Sequence, residues 1–144
     1  MTDSESNLPL AGVRILDIAT FVAAPFASTI LSEFGAEVIK VEVPEMGDGY
    51  RQYAGFPFTP NADVNYTWAM DARNKRSLSL NLKTDEGISI LHRLIATCDV
   101  YITNMPLSLR RQLQLCYNDI AHLNESMVYA SLTSYGEEGS DRDN

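Results

Sequence analysis

Short β-branched runs alternate along the chain with stretches of helical spacing. Val13–Ile18 (VRILDI), preceded by Gly12, reads as a buried strand. From Ala24 to Phe34 apolar residues fall at 26, 27, 30, 31 and 34, the i, i+4 spacing of a helix whose core face these positions would form. Pro25 suits the first turn, where its missing N–H would be unpaired anyway, and Gly35 suits the left-handed position after the last turn. Glu37–Val43 (EVIKVEV) reads as a second strand stopped by Pro44. From Pro44 to about Asn65 the chain is rich in Gly, Pro, Asp and aromatics without a period; a loop this long in a compact domain is usually functional or a lid. Ser77–Leu82 alternates as a third strand with one buried face. Thr84 is placed to cap a helix with Asp85 and Glu86 in its first turn and a stripe of Ile88, Leu91, Leu94 and Ile95. Val100–Thr103 is a fourth strand, Leu107–Leu115 a short helix, and Asn118 the cap of another ending near His122. Met127–Leu132 is a fifth strand, and Ser134–Asn144 a Gly- and charge-rich loop.

Strands alternating with helices predict an α/β fold, a parallel Rossmann-like sheet with helices on both faces. Ligands of such sheets bind beyond the carboxyl ends of the strands. The organisation read from the chain is a polar, unstructured tail at 1–9, an α/β domain over 10–136 and an acidic tail at 137–144. The length of 144 residues admits one such domain or a piece of a larger one.

Charge narrows the partners. Nineteen Asp+Glu against 11 Lys+Arg give a formal charge of −8, a poor match to nucleic acid or an anionic membrane surface. The amino-terminal stretch lacks the basic and apolar regions of a signal peptide, and no run approaches the ~20 apolar residues that cross a bilayer. The expectation is a cytoplasmic protein. Cys98 and Cys116 have no CxxC spacing and read as reduced, small hydrophobic residues.

After the first strand the sequence runs Ala19-Thr-Phe-Val-Ala-Ala-Pro25, without the G-x-G-x-x-G of a dinucleotide site. Small side chains at this helix start serve either close helix–strand packing or the approach of a phosphate or amide to backbone N–H groups. Lys40, Arg51, Lys75, Arg76 and Lys83 would each be solvated surface if alone, and an anion site if several converge on strand ends. Asn104, directly after the fourth strand, either caps a turn or reads a ligand. His92 and His122 have no partner at metal or triad spacing and read as helix-surface or interface residues. Glu137, Glu138, Asp141 and Asp143 read as solvated tail charge. No metal-ligand set and no G-x-S-x-G, H-E-x-x-H or G-x-x-x-x-G-K-[ST] motif is present.

These landmarks in order resemble the class III CoA-transferase family from Leu10 to about Gly139. Leu10-Ala-Gly-Val-Arg-Ile-Leu-Asp17 resembles "PLxGxRVLD". Ala24-Pro-Phe26 with Phe34-Gly-Ala-Glu-Val-Ile-Lys-Val-Glu42 is similar to "GP…LGADVIKVE". Pro44, Gly47-Asp48 and Arg51 resemble "P…GD..R", Asn74-Lys-Arg-Ser-Leu78 with Leu80-Asn-Leu-Lys83 resembles "NKRS(L/I)…L(D/N)LK", and Ser131–Gly136 with Gly139 is similar to "SITGFG..G". The chain departs from the family where Asn104-Met-Pro-Leu-Ser108 replaces "N-F-R-P-G", where Val43 replaces a cation, and where Gln112 stands for an arginine, with Arg111 one place earlier.

The resemblance implies coenzyme A or acyl-CoA as substrate, a carboxylic acid as the second substrate, and no metal. It places Val22 and Ala23 at the backbone site after the first strand, and Leu80, Asn81 and Lys83 near the nucleotide phosphates. Asn104 and Met105 would open the pantetheine path, with Arg111 close by, and Thr133, Tyr135 and Gly136 would belong to a loop closing over the substrate. It also implies that the attacking aspartate, which would form an aspartyl-CoA thioester, lies beyond Asn144, so that no catalytic residue is in the chain. Full-length relatives are expected to be interlaced homodimers, and this chain alone to expose apolar surface and self-associate. An α-methylacyl-CoA racemase-like enzyme shares the same landmarks, and an inactive CoA-binding fragment is a third reading.

Overall fold

In the computed structural model, which describes residues 7–55 and 62–142, all five expected strands are present. They are β1 (Arg14–Asp17), β2 (Glu37–Glu42), β3 (Arg76–Ser79), β4 (Val100–Thr103) and β5 (Val128–Ser131). All pair in parallel, in the order β3-β2-β1-β4-β5. Between them lie α1 (Ala23–Glu33), α2 (Tyr66–Asp71), α3 (Asp85–Ile95), α4 (Leu107–Leu113) and α5 (Tyr117–Ile120), with 3₁₀ turns at Gly49–Gly55 and Ala121–Leu123.

Side chains alternate across the sheet, so each face builds its own core. Ile15, Val38 and Ile102 pack with Ala24 and Leu31 of α1 on one face. Leu16, Val41 and Tyr101 pack with Leu91 and Ile95 of α3 and with Leu115 and Ile120 on the other. This is the doubly wound α/β arrangement expected from the alternation of elements.

Thr84 caps α3 as its position predicts, its Oγ1 accepting from the Gly87 N–H at 3.1 Å. Gly35 takes the left-handed conformation, at φ +104°. Gly87 is required for a different reason: a Cβ there would lie 1.8 Å from the carbonyl oxygen of Asn81. That oxygen is backbone and cannot swing away, so Gly87→Ala should cost roughly 1–3 kcal/mol. The urea midpoint would report it.

Four expectations are corrected. The buried face of α1 is Ala24, Pro25, Ser28, Thr29 and Ser32, whereas Ile30 and Phe34 are exposed. Hydroxyls on that face have buried partners: Ser28 Oγ donates to Asp17 Oδ2 at 2.7 Å, and Thr29 Oγ1 to the Asp71 carbonyl at 2.6 Å. Small polar residues therefore pack where the spacing called for large apolar ones. The third strand is Arg76–Ser79, not Ser77–Leu82, because its one partner, β2, ends at Glu42. Beyond a last bond from Leu80 N–H to the Glu42 carbonyl, Leu80 and Leu82 enter the core. The helix after α4 is capped at Cys116 rather than Asn118. The long loop after β2 contains the 3₁₀ turn at Gly49–Gly55 and is followed by α2, whose Asn65 cap accepts from Trp68 N–H at 3.0 Å. Part of the expected amino-terminal tail (1–6), the loop stretch 56–61, and Asp143 with Asn144 lie outside the described residues.

Candidate functional site

The chain reverses its winding direction between β1 and β4. The connection from β1 leads through α1 to β2 on one side, and the segment after β4 leads through α4 and α5 to β5 on the other. The loops leaving β1 and β4 diverge at this point and leave a crevice at the carboxyl ends of the strands. A cleft of about 510 Å³ occupies it, lined by Ala23, Asn104, Met105, Pro106, Leu107, Leu132, Thr133, Ser134 and Arg142. The first turn of α1 reaches the cleft at Ala23, and no side chain caps that helix start. Its N–H groups and dipole are therefore suited to an anionic or carbonyl group. A second cleft, of about 560 Å³, runs along the outside of α3 beside His92 and Arg93, away from the strand ends.

Asn104 holds the two diverging loops together. Its Oδ1 accepts from Thr20 N–H at 2.8 Å and its Nδ2 donates to the Thr20 carbonyl at 2.9 Å. The turn-capping role and the site role thus meet in one residue, because the clamp forms one wall of the cleft. Asn104→Ala should lower global stability by only about 1 kcal/mol, since Thr20 is exposed and water can replace the amide. It should raise hydrogen exchange at the Thr20 amide roughly tenfold.

Beneath the β1 loop lies a buried charge cluster built on Lys40 and Lys75. Lys40 is 2 % exposed; its Nζ lies 2.8 Å from Asp48 Oδ2 and donates to the Ala19 carbonyl at 2.7 Å. Lys75 Nζ donates to Asp17 Oδ2 at 2.9 Å and to the Pro25 carbonyl at 2.5 Å. Burial pushes the Lys75 amine below its ordinary range, and the Asp17 carboxylate offsets part of that. Asp48 Oδ1 accepts from the N–H groups of Phe21 and Tyr50. Phe21 sits at φ 62°, a conformation bulky residues rarely adopt, and its ring packs edge-on to Tyr53. The cluster thus holds the turn that presents Val22 and Ala23.

Of the cations that would be solvated surface alone or an anion site if they converged, Lys40 and Lys75 are neutralised in this way. Arg51 makes two bonds to Glu42, and Arg76 pairs with Glu37. These four support the fold and do not form an open cation patch.

Ala23, Asn104, Met105 and Thr133 meet in the cleft. Val22 adjoins it as the exposed residue that starts α1. Tyr135 and Gly136 lie on the segment after Thr133, where Gly136 N–H donates to Thr133 Oγ1 at 2.8 Å. Leu80, Asn81 and Lys83 sit beyond the edge strand β3. The Leu80 side chain is part of the core, and Asn81 Oδ1 accepts from Lys83 N–H to form a turn. Arg111 is exposed on α4. None of these seven lines the cleft. Leu107, Leu132, Ser134 and Arg142 do; Leu132 and Ser134 belong to the Ser131–Gly136 motif, whereas nothing in the sequence singled out Leu107 or Arg142.

Glu137 differs from its expected place as solvated tail charge, and its partner is a residue the sequence did not single out. Arg110, buried entirely in α4, carries an ion pair to Glu137 at 2.6 Å, so Glu137 is not simply solvated tail charge. The same guanidinium donates to the Tyr129 hydroxyl and, through Nε, to the Met105 carbonyl. The cysteines are free, as expected. Burial and the neighbouring Asp99 push the Cys98 thiol up to about 11, which keeps it protonated and unreactive.

Fold and cleft together define a parallel α/β domain with an open cleft at its topological switch point. The chain belongs to CoA-transferase family III, whose profile matches residues 10–144. It is 41 % identical over 143 residues to the succinyl-CoA–L-malate CoA-transferase beta subunit of Chloroflexus aurantiacus, covering 99 % of this chain and 35 % of that one. It is also 41 % identical over 138 residues to the succinyl-CoA:glutarate CoA-transferase of Mus musculus, covering 96 % and 31 %. The chain spans about a third of the length of these curated relatives. Among solved structures, a CAIB/BAIF family protein from Brucella suis superposes with a TM-score of 0.85 at 32 % identity, covering 95 % of this chain and 36 % of that one. The orthorhombic form of Rv3272 from Mycobacterium tuberculosis gives 0.85 at 33 %, covering 95 % and 38 %. No helix among the described residues is long and apolar enough to cross a membrane.

Proposed function

We propose that this chain supplies the coenzyme A-binding wall of a CoA-transferase that moves coenzyme A between carboxylic acids, and that it holds no attacking carboxylate of its own. The observation that carries the second half is the cleft lining. No aspartate or glutamate is among its described residues, and Asp17, Glu42 and Asp48 are each committed to a cation or a backbone N–H. The start of α1 and the Asn104 clamp suit a thioester carbonyl or a phosphate. Met105, Pro106, Leu107 and Leu132 offer an apolar wall for the pantetheine arm, and Arg142 adds a cation.

The reaction follows from carboxylate chemistry. A carboxylate attacks the acyl-CoA carbonyl, releasing the CoA thiolate and leaving a mixed anhydride. The thiolate then attacks the enzyme-side carbonyl, freeing the first acid and leaving an aspartyl-CoA thioester. The acceptor acid repeats the sequence in reverse. The aspartate is expected from a part of the enzyme other than these 144 residues, and the working enzyme is expected to be a dimer.

The relatives carry transferase names, which places transfer ahead of racemisation. Incubation of the chain with succinyl-CoA and a labelled carboxylic acid should give binding without label exchange. Turnover by the chain alone would refute the missing nucleophile.

A further inference from the structure

We propose that Arg110 and Glu137 form a latch that holds the segment from Leu132 to Arg142 along the cleft, and that releasing it opens the ligand's way in. The segment starts where Leu132 N–H is held by the Thr103 carbonyl of β4 at 2.9 Å. Leu132, Thr133 and Ser134 then line the cleft, and Arg142 lines it again. Between these two contacts the chain passes Gly136 at φ +83° and Gly139 at φ +91°. A Cβ on either glycine would meet nothing within 4 Å, so the left-handed backbone, not crowding, calls for glycine there. Glu137 lies between these two hinge points.

What holds Glu137 is unusual for a loop carboxylate. Arg110 is wholly buried while the Glu137 side chain is 42 % exposed. The pair therefore joins a fixed cation in the α4 layer to a movable anion at the surface. Arg110 Nη2 is buried without a hydrogen-bond partner. A buried guanidinium so incompletely satisfied depends strongly on the one carboxylate it has. Its Nε bond to the Met105 carbonyl ties the anchor to the opposite wall of the cleft. Arg110 is thus a positioning residue: it joins Met105 of the cleft wall to Glu137 of the segment and does not itself line the cavity.

Glu137→Ala and Glu137→Gln test this at a residue outside the cleft lining, each leaving the Arg110 bonds to the Met105 carbonyl and the Tyr129 hydroxyl in place. Hydrogen exchange of the ligand-free chain at the Leu132 and Gly136 amides should speed up on the order of tenfold in Glu137→Ala and less in Glu137→Gln, while α3 amides stay unchanged. About 1 M sodium chloride should move the unmutated chain part of the way toward the Glu137→Ala pattern. Unchanged exchange at Leu132 and Gly136 in Glu137→Ala would overturn the latch.

The effect on entry rests on the cleft being the coenzyme A site. Stopped-flow binding of coenzyme A should show faster association and faster release in Glu137→Ala. Unaltered rates alongside faster exchange would mean that the segment moves but does not gate. If coenzyme A fails to bind the unmutated chain, the proposed function falls, while the exchange experiment still decides the latch.

Discussion

Asp17→Ala should destabilise the chain by about 3–5 kcal/mol, a large share of the roughly 5–15 kcal/mol that holds a typical domain together. Asp17 ends the central strand and is fully buried. Its Oδ1 accepts from Ala19 N–H at 3.1 Å and lies 4.0 Å from Lys40 Nζ. Its Oδ2 accepts from both Ser28 and Lys75. Removing it leaves Lys75, whose side chain is 2 % exposed, with the Pro25 carbonyl as its described acceptor, so a buried ammonium loses its counter-charge. Lys40 retains Asp48 and suffers less. Adding Lys75→Met should therefore recover a substantial part of the loss, because the stranded charge is gone. Urea titrations of the two single variants and the double variant measure this. A loss below about 1 kcal/mol for Asp17→Ala would show that the cluster contributes little to the fold.

Acid should weaken the fold through Glu42. Burial alone would raise its carboxyl, but Arg51, the Ser77 hydroxyl and the Asp48 N–H together outweigh burial and hold it at about 2. A carboxylate whose folded pKa is depressed stabilises fully above its unfolded value, and loses that contribution as pH falls toward the folded one. The unfolded value is 4.5, so the window runs from there down to about 2, and the contribution lost is on the order of 3 kcal/mol. Glu37 is also held low by Arg14 and Arg76, but about a third of its side chain is exposed, and solvent screens most of that gain. Denaturation midpoints measured at pH 7, 5, 4 and 3 should fall steeply below pH 4.5, and Glu42→Gln should flatten the curve. Equal slopes for the two proteins would remove Glu42 from the explanation.

The strands were legible because a sheet buried on both faces demands β-branched runs, and Val13–Ile18, Glu37–Val43 and Val100–Thr103 are each at least half Val, Ile or Thr. The Thr84 cap and the Gly35 stop were legible because each is a local rule about one turn. Lys40 was not, since its burial depends on standing opposite Asp17 across the β1–β2 register, and pairing partners are not written in local sequence. The face of α1 misled for a related reason: besides the Pro25 carbonyl of their own helix, Ser28 and Thr29 find acceptors in Asp17 and Asp71, distant in sequence. At the cleft, Ala23 and Asn104 followed from the rule that ligands sit beyond strand ends, sharpened by the family resemblance. Arg110 and Glu137 escaped because a helix arginine and a tail glutamate 27 residues apart look solvated until the fold joins them.

Titration of the chain with coenzyme A, followed by calorimetry and by amide exchange, tests the switch-point cleft most directly. Saturable heat with protection concentrated at Ala23, Asn104–Met105 and Thr133 is the predicted result. Absence of heat, or protection confined to the groove beside His92 and Arg93, would contradict it.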